Sequence, residues 1–374
     1  MKLRVGILGC GKVAHLHAKA LSEIAQADFV AVWSRTGARR AEFAATYGVR
    51  HYAGIGQMVE KEKLDAVIVC TSHPHHVEPT VEAARAGAHV LVEKPLASTL
   101  EDCDVMIREC RDHGRLLGTV SQRRWYAPVK RVKDAITDGK IGMPVLGMIH
   151  MLGWRDRAYY ESDQWRGTWR SEGGGVLVNQ APHQLDILQW YMGPVREVSG
   201  FWANLNHPYI EVEDTAVAVL RFESGALGNI IVSNSQNPAL FGRVWVHGAN
   251  GATVGVQTDG GAMFIAGVTG ITEPPVNDRW TVPGEEELLA AWQREDAEFF
   301  NSISATDYYH RLQIEDFLDS IAQGRTPAVT GEEGRKSVEI FTAIYRSQRD
   351  RSPVRFPLSA ERERDDMDGR LSGP

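Results

Sequence analysis

The segment LRVGILGCGKVA, residues 3–14, decides the fold of the first part of this chain. Its first half is an apolar run of strand length that leads directly into a glycine-rich turn. In the pattern GxGxxA, Gly9 makes the tight turn, Gly11 lets a pyrophosphate approach the backbone, and Ala14 lets the next helix pack on the sheet. The N–H groups at the start of that helix suit phosphate oxygens. The segment therefore predicts a dinucleotide-binding turn.

Strands and helices alternate through the first 122 residues. The apolar runs predict strands at 3–8, 29–33, 66–70, 89–92 and 116–120. They predict helices at 15–25, 77–86 and 100–113, and a further helix after the second strand that ends at residue 47. This alternation predicts an α/β N-terminal Rossmann domain with a doubly wound parallel sheet.

The end of the second strand bears on the choice of dinucleotide. An acidic residue that binds the ribose is expected here for NAD, but the chain has Ser34 and Arg35, followed by Arg39 and Arg40. Arginine suits a 2′-phosphate, so these residues favour NADP over NAD. The alternative is that Arg39 and Arg40 only form the solvated face of the next helix.

The segment AGAHVLVEKP, residues 86–95, predicts the end of a helix and a short strand, which is followed at once by polar residues. Ligands of open α/β sheets bind at the carboxyl ends of the strands, which is where Glu93 and Lys94 lie. Pro95 restricts the backbone of Lys94. We interpret Lys94 as a catalytic or polarising amine, and the alternative is a surface lysine.

The third strand ends in Thr71 and a histidine cluster, residues 73–76. No carboxylate or cysteine has the spacing of a metal ligand beside this cluster, so we predict no metal site there. We expect a loop beside the cofactor, with His76 opening the next helix.

From about Arg196 the pattern changes to strands joined by turns, at 198–204, 215–222, 226–233, 243–247 and 252–256. Strands that follow strands predict a C-terminal α+β domain with a large, mainly antiparallel open sheet. We expect a domain boundary at 122/123, a substrate-binding domain over 123–357, and a charged, disordered tail over 358–374.

Between the two patterns lies the segment GGGVLVNQAPHQLD, residues 173–186. The three glycines allow close approach of a ligand or of another chain segment. If Pro182 lies in the first turn of a helix, Asn179 is just outside it; if the helix starts earlier, Pro182 kinks it. His183 suits acid–base chemistry near neutral pH, and the alternative is a packing histidine bonded to Asp186.

The composition is that of an ordinary globular protein, with 43% hydrophobic and 24% charged residues. A formal charge of -7 argues against nucleic acid and anionic membranes as partners. No apolar run is long enough to span a bilayer, and the start enters a strand at once, which predicts no signal peptide. The four cysteines show no zinc spacing, so we expect reduced thiols in the cytoplasm.

The three motifs at 9–14, 86–95 and 173–186 together resemble the Gfo/Idh/MocA oxidoreductase family, over about residues 1–357. The resemblance implies hydride transfer between NAD or NADP and a secondary hydroxyl, or the matching ketone, of a sugar or cyclitol. It implies a catalytic amine at Lys94, an acid–base histidine at His183 and a cis peptide bond before Pro95. The implied cofactor-binding residues are Gly9, Gly11, Lys12, Val13, Ser34, Arg35, Arg39, Thr71, His76, Glu93, Lys94, Gln122, Trp165 and Arg166.

One residue departs from the family pattern. The family often has aspartate where this chain has Asn179, and an amide cannot take a proton. We therefore expect Asn179 to orient the substrate or His183, while His183 transfers the proton with the help of Lys94.

Two other functions fit the same motifs. NAD(P) can oxidise the C3 hydroxyl of a glycoside so that the aglycone is eliminated, as in other members of the family. A non-catalytic dinucleotide sensor is the second alternative, although the retention of Lys94 and His183 argues against it. We expect a homodimer or homotetramer that forms through the C-terminal sheet.

Overall fold

The computed structural model describes residues 2–240, 242–258 and 273–361. These residues form two compact units. The first unit contains residues 2–122 and 306–335, and the second contains the other described residues. The chain leaves the first unit after residue 122 and returns to it for residues 306–335, so the second unit is not continuous over the expected substrate-binding domain, 123–357.

The first unit contains a parallel six-stranded sheet. Its strands are β1 (Leu3–Leu8), β2 (Ala27–Trp33), β3 (Arg50–Tyr52), β4 (Ala66–Val69), β5 (His89–Val92) and β6 (Leu117–Thr119). Its helices are α1 (Lys12–Glu23), α2 (Gly37–Tyr47), α3 (Ile55–Glu62), α4 (Val77–Arg85) and α5 (Leu100–Asp112). The strand order β3-β2-β1-β4-β5-β6, with every neighbouring pair parallel, is that of a doubly wound nucleotide-binding sheet. The predicted fold class of this unit is confirmed.

The second unit contains a mixed, mainly antiparallel eight-stranded sheet. Its strands are β7 (Pro144–Leu152), β8 (Val195–Ala203), β9 (Thr215–Phe222), β10 (Leu227–Ser233), β11 (Gly242–Gly248), β12 (Thr253–Thr258), β13 (Val276–Trp280) and β14 (Val354–Arg355). They follow the order β13-β12-β11-β7-β10-β9-β8-β14, in which β7 and β10 are parallel and the other neighbours antiparallel. The predicted fold class of the second part is confirmed as well.

Helices cover one face of this sheet. The remaining α-helices of the described residues are α6 (Ala127–Thr137), α7 (Arg157–Glu161), α8 (Trp169–Glu172), α9 (Val176–Asn179), α10 (Pro182–Met192), α11 (Leu288–Ser302), α12 (Ala305–Gln323) and α13 (Gly331–Asp350). The apolar helix α10 lies so close to β7 that a Cβ atom added to Gly147 would come within 2.8 Å of Leu188 and Met192. This close packing fixes the position of the segment that carries His183.

Residues 306–335 belong to the first unit because α12 completes its core. Ile314, Phe317 and Leu318 are buried in the same hydrophobic cluster as Val5 and Ile7 of β1. This packing joins residues that are far apart in the chain, so a local sequence pattern does not show to which sheet α12 belongs.

The described start of the expected tail is packed rather than disordered. Leu358 is buried, and its N–H donates to Glu339. Glu361 forms an ion pair with Arg349 at 2.6 Å. The rest of the expected tail, residues 362–374, lies outside the described residues. Within the described residues, no helix combines the length and the apolarity that crossing a bilayer requires.

Candidate functional site

The glycine turn after β1 has the geometry that its sequence predicts. Gly9 has a φ of 103°, and a Cβ atom there would lie 2.8 Å from the backbone of Cys70 and Thr71. Gly11 is the N-cap of α1, and a Cβ atom added to it would meet nothing within 4 Å. The space beside Gly11 and the first N–H groups of α1 therefore fit a phosphate group. Ala14 is fully buried, in agreement with close packing of the helix on the sheet.

The two residues inside this turn differ in their surroundings. Lys12 is the first residue of α1 and is half-buried. Val13 packs against the core of the first unit, so its side chain is held by apolar neighbours. Their predicted contact with the cofactor remains a prediction.

At the end of β2 the structure places Ser34 beside an arginine. The Nη1 of Arg40 donates to the backbone oxygen of Ser34 at 3.1 Å, so this guanidinium folds back onto the end of the strand. Arg35 and Arg39 are exposed. Of the arginines after β2, the one that lies against Ser34 is Arg40 rather than Arg39.

The loop after β4 is tied to the loop after β5 through His76. This histidine is buried, and its Nε2 and Nδ1 lie 2.9 and 3.0 Å from the backbone oxygens of Thr71 and Leu96. The hydroxyl of Thr71 donates to the oxygen of His75 at 2.8 Å. His76 is also the N-cap of α4, so it opens this helix as expected.

Lys94 follows a carboxylate that is held from two sides. Glu93 is buried, its Oε1 lies 2.7 Å from Nε2 of His17, and its Oε2 accepts the backbone N–H of Lys94 at 3.0 Å. Burial raises the pKa of Glu93, but the hydrogen bond and charge of His17, together with His310 and Lys94, outweigh burial and lower it to about 2. An ionised Glu93 therefore fixes the backbone at Lys94, which is followed by a cis bond to Pro95.

The same carboxylate belongs to a group with metal-ligand chemistry. Among the described residues, His17, Glu93 and His310 bring one ligand atom each to within 4.8 Å of one another. However, the 2.7 Å between His17 and Glu93 is a hydrogen bond, shorter than the separation of about 3.4 Å between two ligands on one tetrahedral zinc ion. We interpret the group as a hydrogen-bonded carboxylate with two histidines. Neither His17 nor His310 was predicted, since both lie far from Glu93 in the sequence.

In the second unit, the three glycines allow another chain segment to approach. A Cβ atom on Gly175 would lie 1.8 Å from the backbone oxygen of Glu213. The buried carboxylate of Glu213 accepts the N–H groups of Gly175 and Leu177 at 2.8 and 3.0 Å and the hydroxyl of Tyr345 at 2.8 Å. Of the two roles considered for these glycines, the structure shows close approach of the chain itself.

The helix that carries His183 begins at Pro182, so Asn179 lies just before it, at the end of α9. His183 is buried. Asp186, considered as its partner, accepts two hydrogen bonds from Arg124, at 2.8 and 2.6 Å. This buried ion pair anchors α10 one turn after His183.

A polar network surrounds Asn179. The hydroxyl oxygen of Tyr159 accepts from Asn179 at 3.2 Å, from Gln180 at 2.9 Å and from the guanidinium of Arg166. Asn179 also donates to the carboxylate of Glu172. The sequence did not single out Glu172, because an acidic residue beside glycines has no pattern of its own.

Trp165 and Arg166, predicted near the cofactor, pack against each other. The guanidinium of Arg166 lies 4.6 Å from the ring centre of Trp165 and 4.2 Å from that of Tyr159. Gln122 is buried and is the last residue of the first unit before the chain enters the second. Lys94 lies in the first unit and His183 in the second, so their approach across a bound cofactor stays a prediction.

Comparisons with known proteins match both parts of the chain. Residues 3–120 match the oxidoreductase family with an NAD-binding Rossmann fold, and residues 129–254 match the GFO/IDH/MocA C-terminal domain. The chain is 30% identical to myo-inositol 2-dehydrogenase of Thermotoga maritima over 95% of this chain and 98% of that protein. It is 25% identical to scyllo-inositol 2-dehydrogenase (NAD(+)) of Bacillus subtilis, over 96% and 97%.

A solved structure is also similar over almost its whole length. The WlbA dehydrogenase from Bordetella pertussis, in complex with NADH and UDP-GlcNAcA, has a TM-score of 0.84 and 30% identity, over 96% of this chain and 99% of that chain. The glycine turn and the strand order are those of a nucleotide-binding fold, and both regions of the chain match the same family. The chain therefore belongs to the Gfo/Idh/MocA family of NAD-binding oxidoreductases.

Proposed function

We propose that this protein transfers a hydride between a nicotinamide cofactor and a secondary hydroxyl, or its ketone, of a sugar, cyclitol or glycoside. The observation that carries the proposal is the match of both domains to the family, together with the retention of Lys94 and His183. The inositol dehydrogenases among the relatives support the substrate class.

In this proposal each side chain has a defined task. A nicotinamide cofactor, when bound, would supply the acceptor for the hydride that leaves the carbinol carbon. The amine of Lys94 donates a hydrogen bond to the reacting oxygen and stabilises the negative charge that develops there. His183 takes the hydroxyl proton, and in the reverse direction it returns that proton to the oxygen. Asn179 orients the substrate through its amide.

A screen of substrates tests the proposal. The protein is titrated with sugars, cyclitols and glycosides, with NAD and NADP in separate series, and the midpoint of thermal unfolding and the absorbance at 340 nm are recorded. We expect a ligand that raises the midpoint and also changes the absorbance. Binding without any redox change would favour a sensor, and release of an aglycone without net NAD(P)H would favour the glycoside-processing alternative.

We infer a preference for NADP from the end of β2. No acidic residue follows this strand within residues 34–40, and Arg40 lies against Ser34 at 3.1 Å. A guanidinium at this place favours a 2′-phosphate and an acidic residue favours a ribose hydroxyl. Measured dissociation constants of NADPH and NADH test this preference. We expect tighter binding of NADPH, and tighter binding of NADH would overturn the inference.

We infer that copies of the chain associate through the uncovered face of the second sheet. Phe201 of β8, Val217 and Val219 of β9 and Leu227 of β10 point to this face, and their exposed fractions are 73, 45, 59 and 51%. Exposed apolar patches of this kind mark interaction sites, and a second copy offers the same patch. A homodimer or homotetramer is therefore expected, and the molar mass in solution measures it.

We infer a cytoplasmic location from the cysteines. Cys10, Cys70, Cys103 and Cys110 are free thiols, and all except Cys10 are buried. Reduced cysteines are typical of a reducing compartment. Fractionation of the source cells, followed by immunodetection, tests this location.

A further inference from the structure

Glu172 is a buried carboxyl group to which neither the family pattern nor the proposed mechanism assigns a task. It ends the short helix α8 and is 1% exposed. Its Oε2 accepts the backbone N–H of Gly167 at 2.6 Å, and its Oε1 accepts from the Nδ2 of Asn179. A buried carboxyl group is costly unless it is bonded, and both oxygens of Glu172 are bonded here.

These contacts determine which way the amide of Asn179 is turned. The nitrogen of Asn179 faces two oxygens, the carboxylate of Glu172 and the hydroxyl of Tyr159, the latter at 3.2 Å. A carboxylate can only accept hydrogen bonds, so it selects the nitrogen side of the amide. The oxygen Oδ1 is then the atom with which Asn179 accepts a hydrogen bond.

We propose that Glu172 is a positioning residue that selects, through its ionisation state, whether Asn179 presents an acceptor or a donor to the substrate. The carboxylate form holds the amide nitrogen, so that Oδ1 accepts from a substrate hydroxyl. The protonated form donates its O–H to Oδ1, which turns the amide and presents the NH2 group instead. This inference deepens the proposed function and rests on the task given there to Asn179.

The neighbours of Glu172 place this change near neutral pH. Burial and, to a smaller extent, the nearby Glu213 raise its pKa to about 7, against the opposing effects of the Gly167 N–H, the charge of Arg166 and the bond from Asn179. Tyr159 and Tyr160 of α7 also face Glu172, and burial raises the pKa of both. Both tyrosines therefore stay neutral over the range in which Glu172 titrates.

The direct test observes the amide itself and needs no substrate. The full-length protein is labelled with 15N-asparagine, and the side-chain NH2 signal of Asn179 is assigned as the one absent from Asn179→Asp. We expect this signal to shift with pH with a midpoint near 7 in the wild type and to be independent of pH in Glu172→Gln. Glu161→Gln, an exposed carboxylate of α7, is the matched control and should titrate like the wild type.

This measurement decides whether the ionisation state of Glu172 controls the orientation of the Asn179 amide. A signal that does not move between pH 5.5 and 8.5 in the wild type overturns it, even if Glu172→Gln fails to fold. An identical titration in Glu172→Gln and in the wild type also overturns it, because another group is then responsible.

Steady-state kinetics with the polyol identified by the screen test whether the orientation of Asn179 affects substrate binding. We expect KM for the alcohol to fall as pH rises through 7 in the wild type and in Glu161→Gln. In Glu172→Gln this pH dependence should disappear and KM at pH 8 should rise about tenfold, the effect of one hydrogen bond, with a smaller change in kcat. In the Asn179→Ala background, Glu172→Gln should add nothing, because the effect acts through Asn179.

The two proposals fail in different ways. A titrating Asn179 signal together with no hydride transfer on any polyol would refute the proposed function and still support the Glu172–Asn179 switch. Hydride transfer with a KM that is independent of pH in the wild type would refute the task of Glu172 in substrate binding.

Discussion

Lys94 lies just after the strand β5, and the residue between the strand and Lys94, Glu93, is buried and ionised. The backbone N–H of Lys94 donates to Glu93 at 3.0 Å, and the following peptide bond to Pro95 is cis. From the sequence we predicted that Lys94 lies at the carboxyl end of a strand. We did not predict the histidines that hold Glu93, since His17 and His310 are distant in the chain and meet only in the folded first unit.

The first prediction concerns the amine of this lysine. Lys94→Ala should reduce turnover by about a hundredfold or more, because a donor to the developing oxyanion is lost. The affinity for the dinucleotide, measured by fluorescence titration, should change little. Lys61→Ala, an exposed lysine of α3, is the control. Wild-type turnover in Lys94→Ala would remove this amine from the mechanism.

The second prediction concerns pH and stability. Burial, with the charge of His17, lowers the pKa of His310 from 6.5 to about 4 in the folded protein. Between these values the unfolded chain binds the proton more readily, so stability is lost as pH falls from about 6.5 to about 4, by at most about 3 kcal/mol from this group. His310→Gln should flatten this part of the profile, as measured by urea unfolding at a series of pH values.

The slope of the profile, rather than the absolute stability, is the quantity to compare, because the substitution also alters packing around a buried ring. His51→Gln is the control, since His51 is exposed. An unchanged slope in His310→Gln would assign the acid sensitivity to other groups.

At the scale of elements, the turn from β1 into α1 was predictable because its requirements are local. Gly9 has a positive φ, and Gly11 has no protein neighbour where its side chain would be. In contrast, β3 and α3 were not predicted. β3 has three residues, two of them exposed, and therefore lacks the apolar run by which a strand is recognised.

The third prediction separates cofactor binding from folding at this turn. Gly11→Ala should weaken dinucleotide binding at least tenfold, because a methyl group occupies the space into which the pyrophosphate fits. The thermal midpoint without cofactor should change by only a few degrees, since the new Cβ meets nothing within 4 Å. Binding is measured by calorimetry with both dinucleotides.

Gly54→Ala is the matched control for this experiment. Gly54 is also the N-cap of a helix in the first unit, and an added Cβ would meet only Gln57, at 3.9 Å. Equal affinity of Gly11→Ala and Gly54→Ala for the dinucleotide would show that the pyrophosphate does not approach Gly11.

At the scale of the whole molecule, the second sheet has one covered face and one exposed face. Apolar side chains alternate along β9, so that Ala216 and Ala218 are buried while Val217 and Val219 are exposed. An alternating strand usually has polar residues on its exposed face. Apolar residues on both faces therefore support the proposal that a second copy of the chain covers the exposed face.

The fourth prediction tests this assembly. The double variant Phe201→Asp and Val219→Asp should lower the molar mass measured by light scattering, because charges within an apolar interface are costly. Leu240→Asp, an exposed leucine between β10 and β11, is the control and should keep the wild-type mass. An unchanged mass in the double variant would exclude this face as the interface.

Local patterns were enough for much of the molecule. The alternation of elements, the glycine turn and the end of β5 at Glu93 and Lys94 follow from periodicity and turn chemistry. These signals extend over at most a few turns of chain, so they were readable without coordinates. The family resemblance rested on the same short motifs. The sequence left two positions of Pro182 open, and the structure decided that α10 starts there.

Tertiary structure alone decided the partners of the polar groups and the course of the last helices. Glu93 is bonded by His17, Glu172 by Gly167 and Asn179, and Asp186 by Arg124, while α12 completes the core of the first unit. Charge and apolar character require some partner for each of these groups, but the partner is selected by packing between distant segments. This is the physical reason why the short motifs of the candidate site could be recognised in the sequence, whereas the hydrogen bonds between its residues could not.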